Sequence, residues 1–292
     1  MDDQKQERKP FLFLIFTFLF TWGLWLPSIL TGLGLDLGID AETYTSITVP
    51  IGAFAPLLVA LALVIKLKGW KGAWNFLRQA FDLKVKPLYL AAAFIIPLII
   101  HLLSHYLAPL LGFPVADTLF PEILGLPSII IAIPYFFLML IIGGGQEEFG
   151  WRGYAQAPLQ KRMGVIPASL LIGFVWGIWH LPLWIMPGDG HSTYPFIAFL
   201  IMTTSISVVY GWLYNASNQK LITVIIFHAM SNTAAPLLPF LISKEGTPET
   251  AYWVYAAINV LAAVMMGFVI YQADKRNAKK GSLTQSGSKE EK

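Results

Sequence analysis

Apolar runs near the ~20 residues needed to cross hydrocarbon recur along the chain at roughly 11–31, 45–66, 88–111, 126–146, 164–186, 195–214, 221–242 and 251–272. None alternates with the period of two that a transmembrane strand requires. Lipid offers exposed backbone groups no partner, so each run is predicted as a helix. The expected fold is all-α, a polytopic membrane protein of about eight transmembrane helices around a polar interior site. Residues 1–10 form a short leading segment and 11–274 one helical membrane domain. Residues 275–292, ending KKGSLTQSGSKEEK, are a polar tail expected to be disordered. Phe11–Leu30 carries Trp22, Trp25 and Pro27 where a signal peptide would have small residues, and reads as an uncleaved first span.

Composition strengthens the membrane reading. Apolar residues make up 56% of the 292 and charged residues 13%, about half the usual soluble share. The absence of cysteine excludes disulfides, thiolate chemistry and cysteine-based zinc sites. The net charge of +3 matters less than its distribution. With alternating spans, 19 of the 20 Lys and Arg residues fall on one side and only Lys244 on the other. The positive-inside rule then puts both termini in the cytoplasm, and a bacterial plasma membrane is the expected location. Residues 66–86 read as an interfacial stretch, because Trp70, Trp74, Leu77 and Phe81 recur at helical spacing among basic residues.

Against this background the polar residues inside the runs stand out. Glu147, Glu148 and Arg152 follow a glycine triplet in GGGQEEFGWRGY, His180 lies in FVWGIWHLPLW, and His228 and Asn232 lie in IIFHAMSNT. Ionisable groups at bilayer depth cost a few kcal/mol each or more, so they are rare and usually functional. Glu148 and Arg152 are i,i+4 neighbours able to pair, while Glu147 is turned about 100° away and is free for proton chemistry. His228 and Asn232 share one helix face and can together donate to one oxyanion. Interhelical hydrogen bonding accounts for each histidine taken singly; three such groups in three runs are harder to explain that way.

In this order the motifs resemble those of the CAAX-protease and bacteriocin-processing (CPBP, or Abi) family of intramembrane glutamic endopeptidases. That family's pattern is Glu-Glu-x-x-x-Arg, an aromatic-x-x-x-His and His-x-x-x-Asn, met here by Glu147, Glu148 and Arg152, by Trp176 and His180, and by His228 and Asn232. The motif-bearing core is 126–242. Phe often stands where this chain has Trp176, an exchange expected to leave the chemistry alone. The resemblance implies hydrolysis of a peptide bond in a membrane-associated or lipidated peptide or protein. Glu147 and His180 would activate water, His228 and Asn232 would stabilise the oxyanion, and Glu148, Arg152 and Trp176 would support them. The family has also been described as metal-dependent. Glu147, His180 and His228 would be the ligands of a divalent metal such as zinc, although no cofactor is the favoured reading. A proton-coupled transporter or a non-catalytic scaffold or immunity protein are the alternatives. Substrate and lipid are the expected partners, and no nucleic acid.

Depth constrains the arrangement. His180 lies roughly 24 Å past Gly164 along its helix, but His228 only roughly 12 Å past Lys220. Glu147 reaches both only if the Gly143–Gly145 run bends and its helix continues to Lys161 despite Pro158. The four proposed catalytic side chains are expected to line one cavity opening to the cytoplasmic side. His101 and His105 form an H-x-x-x-H pair read as structural, and His191 falls in an outside loop.

Overall fold

The first run becomes α1 (Pro10–Gly32), whose Pro10 suits a first turn that needs no amide donor. In the computed structural model, which describes residues 8–113, 115, 122–123, 126–237 and 248–290, this helix packs inside out relative to a soluble one. Phe11, Ile15 and Leu19 face outward, while Thr17, Thr21 and Ser28 are fully buried. Two of these hydroxyls and an indole act as interhelical glue to α2 (Ala41–Gly52). Thr21 Oγ1 donates to the Gly52 carbonyl (3.1 Å), Ser28 bonds Thr45 (2.7 Å) and Trp25 Nε1 donates to Thr48 (2.9 Å).

The second apolar run is not one straight span. α2 ends at Gly52, and α3 (Ala55–Arg78) restarts with Pro56 in its first turn. Gly69, at φ 64° and ψ −173°, breaks α3 again and turns its last turns aside. Those turns leave Trp70 and Trp74 exposed at 77% and 62%, the interfacial stretch predicted from spacing.

α4 (Pro87–Leu110) and α5 (Ser128–Ile141) both pack on α9 (Leu221–Leu237). A two-residue antiparallel pair, β1 (Glu122–Ile123) with β2 (Leu126–Pro127), precedes α5. After the Gly143–Gly145 bend comes a π-helix, Phe149–Gln156, continued by α6 (Ala157–Met163). α7 (Val165–Trp179) packs closely on α8 (Phe196–Ala216). A Cβ on Gly173 would come within 2.5 Å of the Thr203 carbonyl and 2.7 Å of the Thr204 Cα, so glycine permits this approach. α10 (Pro248–Glu290) closes the bundle against α8 and α4. Its helical backbone continues to Glu290, into the polar tail.

Among the described residues six helical segments are long and apolar enough to cross a membrane, and Ile130–Ile141 and Leu221–Leu237 are shorter apolar helices. The starts of α1, α7 and α9 share one end of the bundle. Arg8 reaches Gly153, Gly153 lies against Leu221, and Ile166 touches the far part of α10 at Gly267.

Candidate active site

Gly144 sets the site's geometry. Its φ of +115° is costly for any residue with a Cβ, and a Cβ there would also overlap the His228 ring. The bend it makes is stapled by Gln146, whose Oε1 accepts from the Gly144 amide (3.0 Å) while its Nε2 donates to Ile142 (3.3 Å). The chain then re-enters a helix at Glu147, runs through the π-helix and ends at Met163, as the depth argument required. A π-helix is rare and concentrated at functional sites. Pro158, the residue that argued against continuation, sits in the first turn of α6 where the π-helix gives way to α-geometry.

Glu147 is buried, and its Oε2 accepts from two indoles, Trp176 Nε1 at 2.8 Å and Trp151 Nε1 at 3.3 Å. Oε1 has no hydrogen bond from the described residues. Trp176 is the hub of the arrangement. Its backbone carbonyl meets His180 Nδ1 at 2.8 Å, and its ring lies 5.3 Å from that of His228 and 5.5 Å from the Arg152 guanidinium. A carbonyl only accepts, so His180 carries its proton on Nδ1 and leaves Nε2 as an acceptor. Phenylalanine has no N–H to give Glu147, so the Trp that stands in its place adds a contact the ring alone would not make. Trp176→Phe should keep the ring contacts and thermal stability yet lower peptide turnover about tenfold, the scale of one hydrogen bond to a charged group. Unchanged turnover would remove Trp176 from the positioning of Glu147.

Glu148 has a different set of partners. It and Arg152 are fully buried and joined by two hydrogen bonds from Nη1, at 3.0 and 3.1 Å. Arg152 Nη2 donates to Ser207 (2.8 Å), and the guanidinium lies 4.1 Å from the Tyr210 ring centre. Glu148 Oε1 also meets His228 Nδ1 at 2.8 Å. One carboxylate thus ties the π-helix to α9, while its arginine ties the π-helix to α8. Asn232 Nδ2 donates to the Gly143 carbonyl, so α9 holds both sides of the glycine bend.

Glu147, His180, His228 and Asn232 line one cavity of 530 Å³. Its other walls come from the end of the bundle remote from the α1 N-terminus, including Leu183, Tyr194, Phe199, Tyr252 and Tyr255. The cavity thus lies toward the end of the bundle where α7 finishes and α8 begins, and His180, which caps that end of α7, draws the site with it.

Sequence reasoning missed several contributors. Trp151 stands four residues after Glu147, the same offset as Arg152 from Glu148, so its signal was available. Ser207 and Tyr210 sit in an apolar helix and gave none. His191, set aside as a loop residue, lines the cavity with its ring 6.2 Å from that of His180. Asp189 Oδ1 orients it at 2.6 Å. His101 also lines the cavity, with Nδ1 on the Pro97 carbonyl (2.8 Å), a structural bond.

Among the described residues no group of three His, Asp or Glu side chains is spaced to hold a metal ion, so no step through a metal is derived.

Residues 128–234 match the family described as Type II CAAX prenyl endopeptidase Rce1-like. A CAAX prenyl protease 2 of Methanococcus maripaludis is 28% identical over 239 residues, covering 78% of this chain and 84% of the relative. A lysostaphin resistance protein A of Staphylococcus haemolyticus is 22% identical over 231 residues, covering 76% of this chain and 59% of the relative. The segment matched by the family contains all three motifs and begins after α4. Transporter and scaffold readings give way to this likeness. Through this segment the chain is similar to the CAAX prenyl endopeptidases, and it is an integral membrane protease.

Proposed function

We propose that this protease hydrolyses a peptide bond of a membrane-associated or lipidated peptide or protein with water activated by Glu147 and His180. The observation that carries the reading is the shared cavity. It is lined by Glu147, His180, His228 and Asn232, each oriented by a second group on its far side. Water would sit between Glu147 Oε1 and His180 Nε2, the two acceptor atoms left open. As its oxygen bonds to the scissile carbonyl carbon, its proton passes to this pair and then to the leaving nitrogen as the C–N bond breaks.

The oxyanion would be met from α9. His228 is held at Nδ1 by Glu148, and a hydrogen on its Nε2 would make it a donor to the oxyanion. The Asn232 amide carries two hydrogens, of which the Gly143 carbonyl uses one. Glu148 and Arg152 act as positioning residues. We read the termini as cytoplasmic from the segregation of basic residues.

The test is turnover of a fluorogenic peptide, with and without a prenylated cysteine, by the purified chain in detergent. The expected result is cleavage that persists in chelator and disappears in Glu147→Ala. Activity abolished by EDTA and restored by zinc would overturn the metal-free assignment. Full activity in the Glu147→Ala variant would overturn the site.

A further inference from the structure

We infer that a second cavity, at the opposite end of the bundle from the catalytic one, binds the phosphate of an anionic lipid headgroup. This cavity of 630 Å³ is lined by Arg8, Lys68, Lys161 and Arg162, with Gln79, Gln219 and Tyr214 among the remaining residues. The four cations arrive from the start of α1, the break in α3 and the end of α6, so no single amphipathic helix accounts for their convergence. Among the described residues no carboxylate lines the cavity. Lys220 is not part of the wall and is committed elsewhere: its ammonium hydrogen-bonds Asp82 and holds that carboxyl below its usual range.

Each lining cation can keep a protein partner and still bind an anion. Arg8 Nη1 donates to the Gly153 carbonyl at 2.6 Å, and its guanidinium lies over Phe76 and Tyr154 at 5.9 and 5.6 Å. A guanidinium has five N–H donors and an ammonium three, so such contacts leave donors for phosphate oxygens. Lys161 and Arg162 likewise have interactions of their own, and the site does not depend on their being bare.

Two further features select a lipid over free phosphate. A smaller cavity of 130 Å³ shares Arg8, Lys68 and Gln79 with the first, and adds the apolar Val64, Leu67 and Phe76. The combined site thus pairs a cationic compartment with an apolar one. The depth also matches. Trp70 and Trp74 are exposed beside Lys68, and Gly72, which lines the smaller cavity, is two residues from either and so faces nearly the opposite way. Exposed tryptophans mark the level of headgroups, and a basic pocket between helices at that level is suited to anionic ones.

The experiment compares the full chain with Lys68→Gln/Lys161→Gln and with Lys71→Gln/Lys86→Gln. The second pair removes the same charge from residues outside the cavity. Each protein is purified in uncharged detergent and mixed with phosphatidylglycerol, phosphatidylcholine or inorganic phosphate. Bound lipid is counted by native mass spectrometry, and melting temperature is followed in parallel. The expected result is that the wild type and the control pair retain phosphatidylglycerol over phosphatidylcholine, and that the cavity pair loses this preference by about tenfold or more. Equal melting of all three proteins in phosphatidylcholine would show that folding is unaffected. Equal retention of both lipids by the wild type, or equal loss in both double variants, would overturn the site. Stabilisation by inorganic phosphate as large as by phosphatidylglycerol would overturn the lipid assignment. None of these readouts uses peptide cleavage, so they stand or fall independently of the catalytic proposal.

Discussion

Glu147→Gln is expected to remove turnover by about 10²–10⁴ while leaving the protein folded, because it deletes a general base and little else. The side chains are isosteric, and a glutamine Oε1 can still accept from Trp176 and Trp151 if the amide is oriented toward them. Melting temperature in detergent should therefore stay close to wild type. The comparison that gives this meaning is His180→Gln, which should lose activity on a similar scale, since in the proposed mechanism the two groups would share one water. If Glu147→Gln retained near wild-type turnover and the wild type were inhibited by chelator, the role assigned to Glu147 would be lost.

Glu148→Gln should behave in the opposite way, losing stability and activity together. Glu148 and Arg152 are both without exposed surface, so neutralising one leaves the other charge buried without its counter-ion. Removing one partner of such a pair typically costs about 3–5 kcal/mol, against a total stability of about 5–15 kcal/mol. Changing Arg152 to Met in the same chain should restore much of the melting temperature, since a buried pair replaced by neutral groups is tolerated far better than a half pair. Activity should not return with it. His228 would still face an amide instead of a carboxylate at Nδ1, and its second proton is what the proposed oxyanion contact needs. A double variant that recovered both fold and turnover would show that Glu148 only balances Arg152.

Much of this site was legible before the fold was known. The offset of four between Glu148 and Arg152 gave their pairing, and the glycine triplet with the depth mismatch gave the bend and the continued helix. What could not be read was what stands opposite each group. Ser207 and Tyr210 receive Arg152 from a helix with no Asp, Glu, Lys, Arg or His to mark it, and the link from Glu148 to His228 spans 80 residues. The level of the cavity within the bundle was not legible for the same reason. A hydropathy run gives a helix its length but not the level at which its neighbours' loops fold back, and the Asp189–His191 loop does so. The break at Ala53–Phe54 inside the second run was hidden because Pro50 and Pro56 lie within uninterrupted hydropathy.

The local character of the Glu148–Arg152 pair bears on how the chain is made. Helices emerge from the ribosome in order, and α8 and α9, which hold the other partners of this pair, are synthesised dozens of residues later. For that interval the segment must rest beside lipid or the insertion machinery with a carboxylate and a guanidinium on it. Because the two lie one turn apart, each carries its neutralising partner from the moment the turn forms, without waiting for the rest of the bundle. Ser207, Tyr210 and His228 then dock onto a charge already balanced. The same contact that positions α9 in the finished enzyme thus begins as the means by which a charged element tolerates an incomplete bundle, and a chain arrested before α9 would hold the pair intact while lacking the cavity.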